Sequence, residues 1–210
     1  MLNIEKQVAD SLLQIKAIKL EPAKPFTWAS GWKSPIYCDN RVTLSHAGIR
    51  TLIRDGFVQR VKELYPEVEV IAGVATGAIA QGALVAQELG LPFVYVRSAA
   101  KDHGMSNLIE GHLEAGQKVV VIEDLISTGG SSLKAVEALR SAGAEVLGML
   151  AIFTYGFENA AANFEKAAVK LDTLTNYHAL IENAIASGYV TTEQRESLNS
   201  WRVAPDKWGI

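Results

Sequence analysis

The chain has 210 residues, 49% of them hydrophobic and 20% charged, which suits one globular domain with a full-sized core. A formal net charge of −3 leaves no basic stripe to neutralise a nucleic-acid backbone, so general nucleic-acid binding is excluded while a local pocket for a small anion is not. The single cysteine, Cys38, excludes an intramolecular disulfide, and no segment approaches the roughly 20 apolar residues of a membrane span.

The opening MLNIEKQVAD breaks its apolar residues with Glu5, Lys6 and Asp10, unlike a signal peptide, so a cytoplasmic protein is expected. Residues 2–16 carry helical spacing, with Leu2, Val8, Leu12, Leu13 and Ile15 on one side. Pro22, Pro25, Gly31 and Pro35 then rule out a continuous helix, and PFTWASG and SPIYCDNR read as strands or extended segments. Cys38, in the apolar stretch PIYC, reads as a small core residue rather than a nucleophile. Ser45 is placed to cap a helix over 46–65. From residue 68 the pattern turns regular: a strand VEVIAGVA, a turn, and a helix over 79–89 that ends at Gly90. FVYVR (93–97) and KVVVIED (118–124) are further strands, the second with four consecutive β-branched residues, as in a strand covered on both faces. A helix at 131–142 and a strand EVLGMLAIF (145–153) follow, and the remainder from about 157 reads as helical. Strands alternating with helices of this length predict an α/β fold with a parallel central sheet flanked by helices. One domain over 1–210 is expected, with residues up to about 45 forming a small N-terminal hood at the sheet edge.

The most informative segment is VVVIEDLISTGGSS, residues 119–132. An apolar strand ends in Glu123 and Asp124, passes through Leu125 and Ile126, and enters Ser127-Thr128-Gly129-Gly130-Ser131 before a helix. Ligands of open α/β sheets bind beyond the carboxyl ends of the strands. A loop of small residues brings backbone N–H groups close to a phosphate, and the helix N-terminus adds a favourable dipole. The acids would repel phosphate alone, but they suit a ligand that also carries ribose hydroxyls or a bound Mg²⁺, which describes a phosphoribosyl donor. No Lys follows the second glycine, so this is no Walker loop, nor is it a dinucleotide fingerprint. A second turn of small residues, Ala75, Thr76 and Gly77, follows the strand ending at 75 and could present amides to a second anion.

The segment 119–132 resembles the motif by which type I phosphoribosyltransferases bind 5-phosphoribosyl 1-pyrophosphate (PRPP). That resemblance implies that Glu123 and Asp124 hold the ribose hydroxyls, that residues 127–131 hold the 5′-phosphate, and that 75–77 form a pyrophosphate loop. The stretch 95–111, with Arg97, Lys101, Asp102, His103, Gly104 and then IEG, resembles the R-x-x-x-K-D-H-G loop of orotate phosphoribosyltransferases of a bacterial branch. This resemblance implies a homodimer in which loop 98–107 completes the neighbouring site, with Arg97, Lys101 and His103 binding PRPP. Lys101, His103 and Asp124 are then the expected catalytic residues, and Mg²⁺ the expected cofactor, carried by PRPP and not by a direct protein metal site. The segment PFTWASGWKSPIYCDNR is similar to the family's hood over orotate, which makes Lys33, Tyr37 and Arg41 candidate orotate contacts together with Ser127.

The chain departs from the family in three places. It has Ala29 where some members carry Lys, Ser98 where some have a second basic residue, and FTYGFENA (153–160) where others use an Arg to hold orotate. The orotate carboxylate is left to backbone amides, Ser127 or Arg41. The implied reaction joins orotate and PRPP to give orotidine 5′-phosphate and pyrophosphate, a step of pyrimidine synthesis. Cations in a closing loop suit such a leaving group by neutralising its developing charge and excluding water. No Ser-His-Asp or Cys-His constellation suggests a covalent nucleophile, and His46, His103, His112 and His178 lack zinc spacing. Two rivals remain: a purine or uracil phosphoribosyltransferase, against which the K-D-H loop argues, and a PRPP sensor acting on nucleic acid or a partner enzyme, which would gain a basic face.

Overall fold

The computed structural model describes residues 3–28, 31–98 and 108–208. Helix α1 (Ile4–Gln14) starts where the Asn3 side chain accepts the Glu5 amide hydrogen, and it buries Val8, Ala9, Leu12 and Leu13. Two small antiparallel ladders follow. Strand β1 (Ile18–Leu20) pairs with β4 (Ile36–Cys38), and β2 (Phe26–Thr27) pairs with β3 (Lys33–Ser34). A 3-10 helix (Asn40–Ser45) leads into α2 (Ala47–Leu64). The expected Ser45 cap is not there: His46 occupies the cap position without a side-chain bond, and Ser45 closes the 3-10 helix instead. That tight turn wins because Thr43 donates its hydroxyl to the Asn40 carbonyl at 2.6 Å and accepts the His46 amide through its own carbonyl at 3.1 Å.

The main sheet is built from β5 (Val70–Val74), β6 (Phe93–Val96), β7 (Ile109–Glu110), β8 (Lys118–Ile126), β9 (Glu145–Thr154) and β10 (Leu171–Asn176). Their spatial order is β10-β9-β8-β5-β6-β7. All neighbours are parallel except β7, which lies antiparallel on β6, so the sheet is mixed at one edge rather than wholly parallel. Helices α3 (Ile79–Leu89), α4 (Gly130–Ser141) and α5 (Glu158–Lys166) make the crossovers that parallel neighbours require. Beyond them come α6 (Tyr177–Ala186) and α7 (Gln194–Val203). The region after 157, expected to be helical throughout, holds α5, α6 and α7 but also β10, which extends the main sheet at its edge beside β9.

The core is centred on β5 and β8. Val70, Ile71, Ala72 and Val119 through Ile122 are fully buried, each large one contributing roughly 1.5–3 kcal/mol of burial. Helix α1 packs on α6 and β10, and the 3-10 helix that follows the two small ladders packs on β8. Among the described residues no helix is long and apolar enough to cross a membrane.

Candidate active site

Strands β5 and β8 pair in register up to Gly73 and Ile122, so the loops leaving their carboxyl ends emerge side by side. Between them lies a cavity of about 290 Å³, lined by Ala75, Thr76 and Gly77 on one wall and by Glu123, Asp124, Leu125 and residues 127–132 on the other. The two turns singled out in the sequence thus share one site. A larger groove of about 970 Å³ adjoins it, with Arg97, Ser98 and Lys134 on its walls.

The loop after β8 is shaped by its glycines. Gly129 has a left-handed φ of +79°, and a side chain there would meet the Phe164 ring at 2.6 Å. It caps α4 without any side-chain bond, and the first residues of that helix, Gly130 and Ser131, line the cavity, where a helix start favours an anion. Helix α5 props the loop from behind: Phe164 fills the space under Gly129, and Asn163 donates to the Thr128 carbonyl at 3.0 Å. Thr128, Gly130 and Ser131 are exposed at the rim, and Ser127 is half-buried. Ile126 is fully buried, and its carbonyl accepts the Tyr155 amide at 3.1 Å, so this residue supports the loop from within the sheet.

The two acids differ. Glu123 is 5% exposed; one of its oxygens accepts the Asp124 amide and the other the Ser132 hydroxyl, each at 2.8 Å. Burial, with the Asp124 charge beside it, pushes the Glu123 carboxyl well above the usual carboxylate range. Asp124 is half-buried, forms no ion pair among the described residues, and lies so close to Gly77 that any side chain there would collide with its carboxylate. The missing Cβ at 77 is what lets the two walls approach. Asn40 fixes the Asp124 backbone, donating to its carbonyl at 2.6 Å.

In the N-terminal ladders, Lys33 donates to the Thr27 hydroxyl at 2.8 Å and is exposed. Tyr37 is 43% exposed, with its ring 5.7 Å from Phe26. Arg41 is held by both oxygens of Asp39, at 2.7 and 2.9 Å. These three stand outside the 290 Å³ cavity. Cys38 donates to Asn40 at 3.4 Å, and burial together with the Asp124 charge pushes its thiol up, which keeps it protonated and unreactive. Arg97 sits at the end of β6, 3.5 Å from Glu110, and its amide donates to the Leu108 carbonyl at 2.8 Å. Lys101 and His103 lie outside the described residues.

Asn40, Ser132, Asn163 and Phe164 were not among the candidates from sequence. Ser132 had a signal, since it ends the GGSS run; the other three reach the site only through the fold.

Residues 44–184 match the phosphoribosyl transferase domain family. Over the whole of both chains the sequence is 61% identical to the orotate phosphoribosyltransferase of Porphyromonas gingivalis. The chain belongs to the orotate phosphoribosyltransferase family. The orotate phosphoribosyltransferase of Listeria innocua is 58% identical over 99% of this chain and 100% of its own. Among solved structures, the orotate phosphoribosyltransferase of Aeropyrum pernix superposes with a TM-score of 0.75 at 28% identity, covering 88% of this chain and 99% of that one. Leishmania donovani UMP synthase gives 0.77 at 27% identity, over 94% of this chain and 42% of its own. The likeness covers the strands and helices that bring the two loops together.

Proposed function

We propose that the cavity between residues 75–77 and 123–132 binds PRPP and that the chain transfers its phosphoribosyl group to orotate, giving orotidine 5′-phosphate and pyrophosphate for pyrimidine synthesis. The observation that carries this reading is an acid pair set directly beside an uncapped helix N-terminus in one small cavity. The amides of residues 129–131 and the hydroxyls of Ser127, Thr128 and Ser131 take the 5′-phosphate. Asp124 and Glu123 accept the ribose hydroxyls. Ala75, Thr76 and Gly77 turn their backbone toward the pyrophosphate.

The transfer is a displacement at ribose C1: the bond to pyrophosphate breaks with its electrons leaving on that group, and a ring nitrogen of orotate forms the new bond. Most of the acceleration comes from positioning and from charge placed where the leaving group becomes more negative. Lys101, His103 and Arg97 are assigned to that leaving group, with His103 able to hand it a proton. Mg²⁺ fits the hard oxygen donors Asp124 and Glu123 and, carried by PRPP, would add positive charge on the departing oxygens. Tyr37 is assigned to stack on the pyrimidine, with Ser127, Lys33 and Arg41 as its polar contacts. For Arg41 this requires an exchange of its Asp39 partner. A cytoplasmic homodimer in which loop 98–107 reaches the neighbouring site completes the proposal, and it rests on the likeness of that loop to its counterparts.

Base competition tests the assignment. With PRPP and Mg²⁺, orotate is expected to be consumed while uracil, adenine and hypoxanthine are not; consumption of any of these in place of orotate overturns it. Lys101→Ala is expected to cut turnover about 100-fold or more with the fold and PRPP binding intact, and equal turnover removes Lys101 from the mechanism.

A further inference from the structure

The last helix, α7, lies beyond the residues that match the phosphoribosyl transferase domain family, which end at 184. It nevertheless carries the largest fully buried side chain among the described residues, Trp201. The Trp201 ring contacts four others. Trp28 of the hood lies 5.6 Å away, Tyr155 and Phe157 just past β9 lie at 5.5 Å, and Tyr177 of α6 at 5.4 Å. Trp28 in turn packs on Tyr155 at 5.4 Å and donates its indole N–H to the Ile36 carbonyl, next to Tyr37. One buried indole thus joins the hood, the carboxyl end of the sheet and the C-terminal segment.

The helix that brings Trp201 there is fastened at several points. Tyr177 donates its hydroxyl to the Leu198 carbonyl at 2.9 Å, and Arg195 is ion-paired with Glu182. Arg202 donates to the Gly156 carbonyl at 2.9 Å, and Trp208 donates to the Ser197 carbonyl at 3.1 Å. Aromatic rings packed edge-on in this way resist sliding, because their preferred geometry is specific. The hood's two ladders are short, and beside the Asn40–Asp124 bond at β8 the Trp28–Trp201 contact gives it a further anchor on the body of the molecule.

We propose that α7 is a strap that sets the hood against the carboxyl end of the sheet, with Trp201 as a positioning residue for the base side of the site. It touches neither substrate; it acts through Trp28 and Tyr155 on the wall that carries Tyr37. The inference rests on the reading that the hood covers the base while the cavity of residues 75–77 and 123–132 holds PRPP.

Steady-state kinetics on Trp201→Leu and Trp201→Phe, assayed well below their unfolding temperatures, separate positioning from general loosening. Trp201→Leu is expected to raise KM for orotate about tenfold while KM for PRPP stays within about twofold, with Trp201→Phe recovering most of the loss. An unchanged KM for orotate, or a parallel rise in both constants, overturns the proposal. Should Trp201→Leu not fold, Arg202→Gln loosens the same strap from its exposed side, and KM for orotate is expected to rise about threefold; no rise overturns the proposal. Hydrogen exchange supplies a reading independent of turnover. In the variants amides of residues 18–38 should exchange faster while those of β8 do not, and unchanged hood exchange contradicts the strap even if orotate proves not to be the base.

Discussion

Two carboxyl groups stand side by side at the end of β8, and the more buried one, Glu123, is held against its preference for water. Its pKa in the folded chain lies above that of the unfolded chain. As pH rises past the ordinary carboxylate range, the unfolded chain gives up this proton first, so stability falls until the folded group has also titrated. A glutamine cannot titrate. Glu123→Gln is therefore expected to be more stable than wild type near pH 8, by about 1 kcal/mol, with the gap closing toward pH 4. Its affinity for PRPP is expected to fall. Thermal unfolding at a series of pH values checks this, and a stability difference that does not vary with pH contradicts it. Gly77 makes a second residue-scale case: Gly77→Ala must displace the Asp124 carboxylate, so turnover should drop sharply while the unfolding temperature barely moves.

At the scale of elements, the loop between β8 and α4 is set by α5 as much as by its own sequence. Gly129→Ala adds a Cβ at positive φ against Phe164, and a loss of about 1–3 kcal/mol of stability together with weaker phosphate binding is expected. Denaturant unfolding and PRPP titration measure the two effects, and an unperturbed alanine variant would show that the loop does not depend on α5. The core strands were legible in the sequence because their centres, VVVI (119–122) and GMLAIF (148–153), are buried on both faces and so carry no charged residue. Strand β10 was not, because it pairs on one side only and alternates Asp172, Thr173 and Thr175 with leucines, then passes into α6 without a loop. Strand β7 is two residues long and offers no period to read. The cradle was legible for the opposite reason: small residues in a fixed order leave a local signature, whereas Asn40 and Asn163 act across 84 and 35 residues and leave none.

At the scale of the whole molecule, the proposed site has a PRPP end, built on the sheet, and a base end, built on the hood and its strap. In the proposed dimer Lys101 and Asp124 of one site come from different chains. Mixing Lys101→Ala with Asp124→Asn chains, each nearly inactive, should then restore about a quarter of wild-type turnover, because half of the dimers are mixed and each of those keeps one intact site. No recovery after proven exchange of chains would place loop and acids in the same subunit. Transfer from PRPP to orotate can be followed through the ultraviolet absorbance of orotate in the presence of purified protein, PRPP and Mg²⁺. A loss of absorbance that requires all three is expected; a steady absorbance from protein shown to bind PRPP would contradict the transfer.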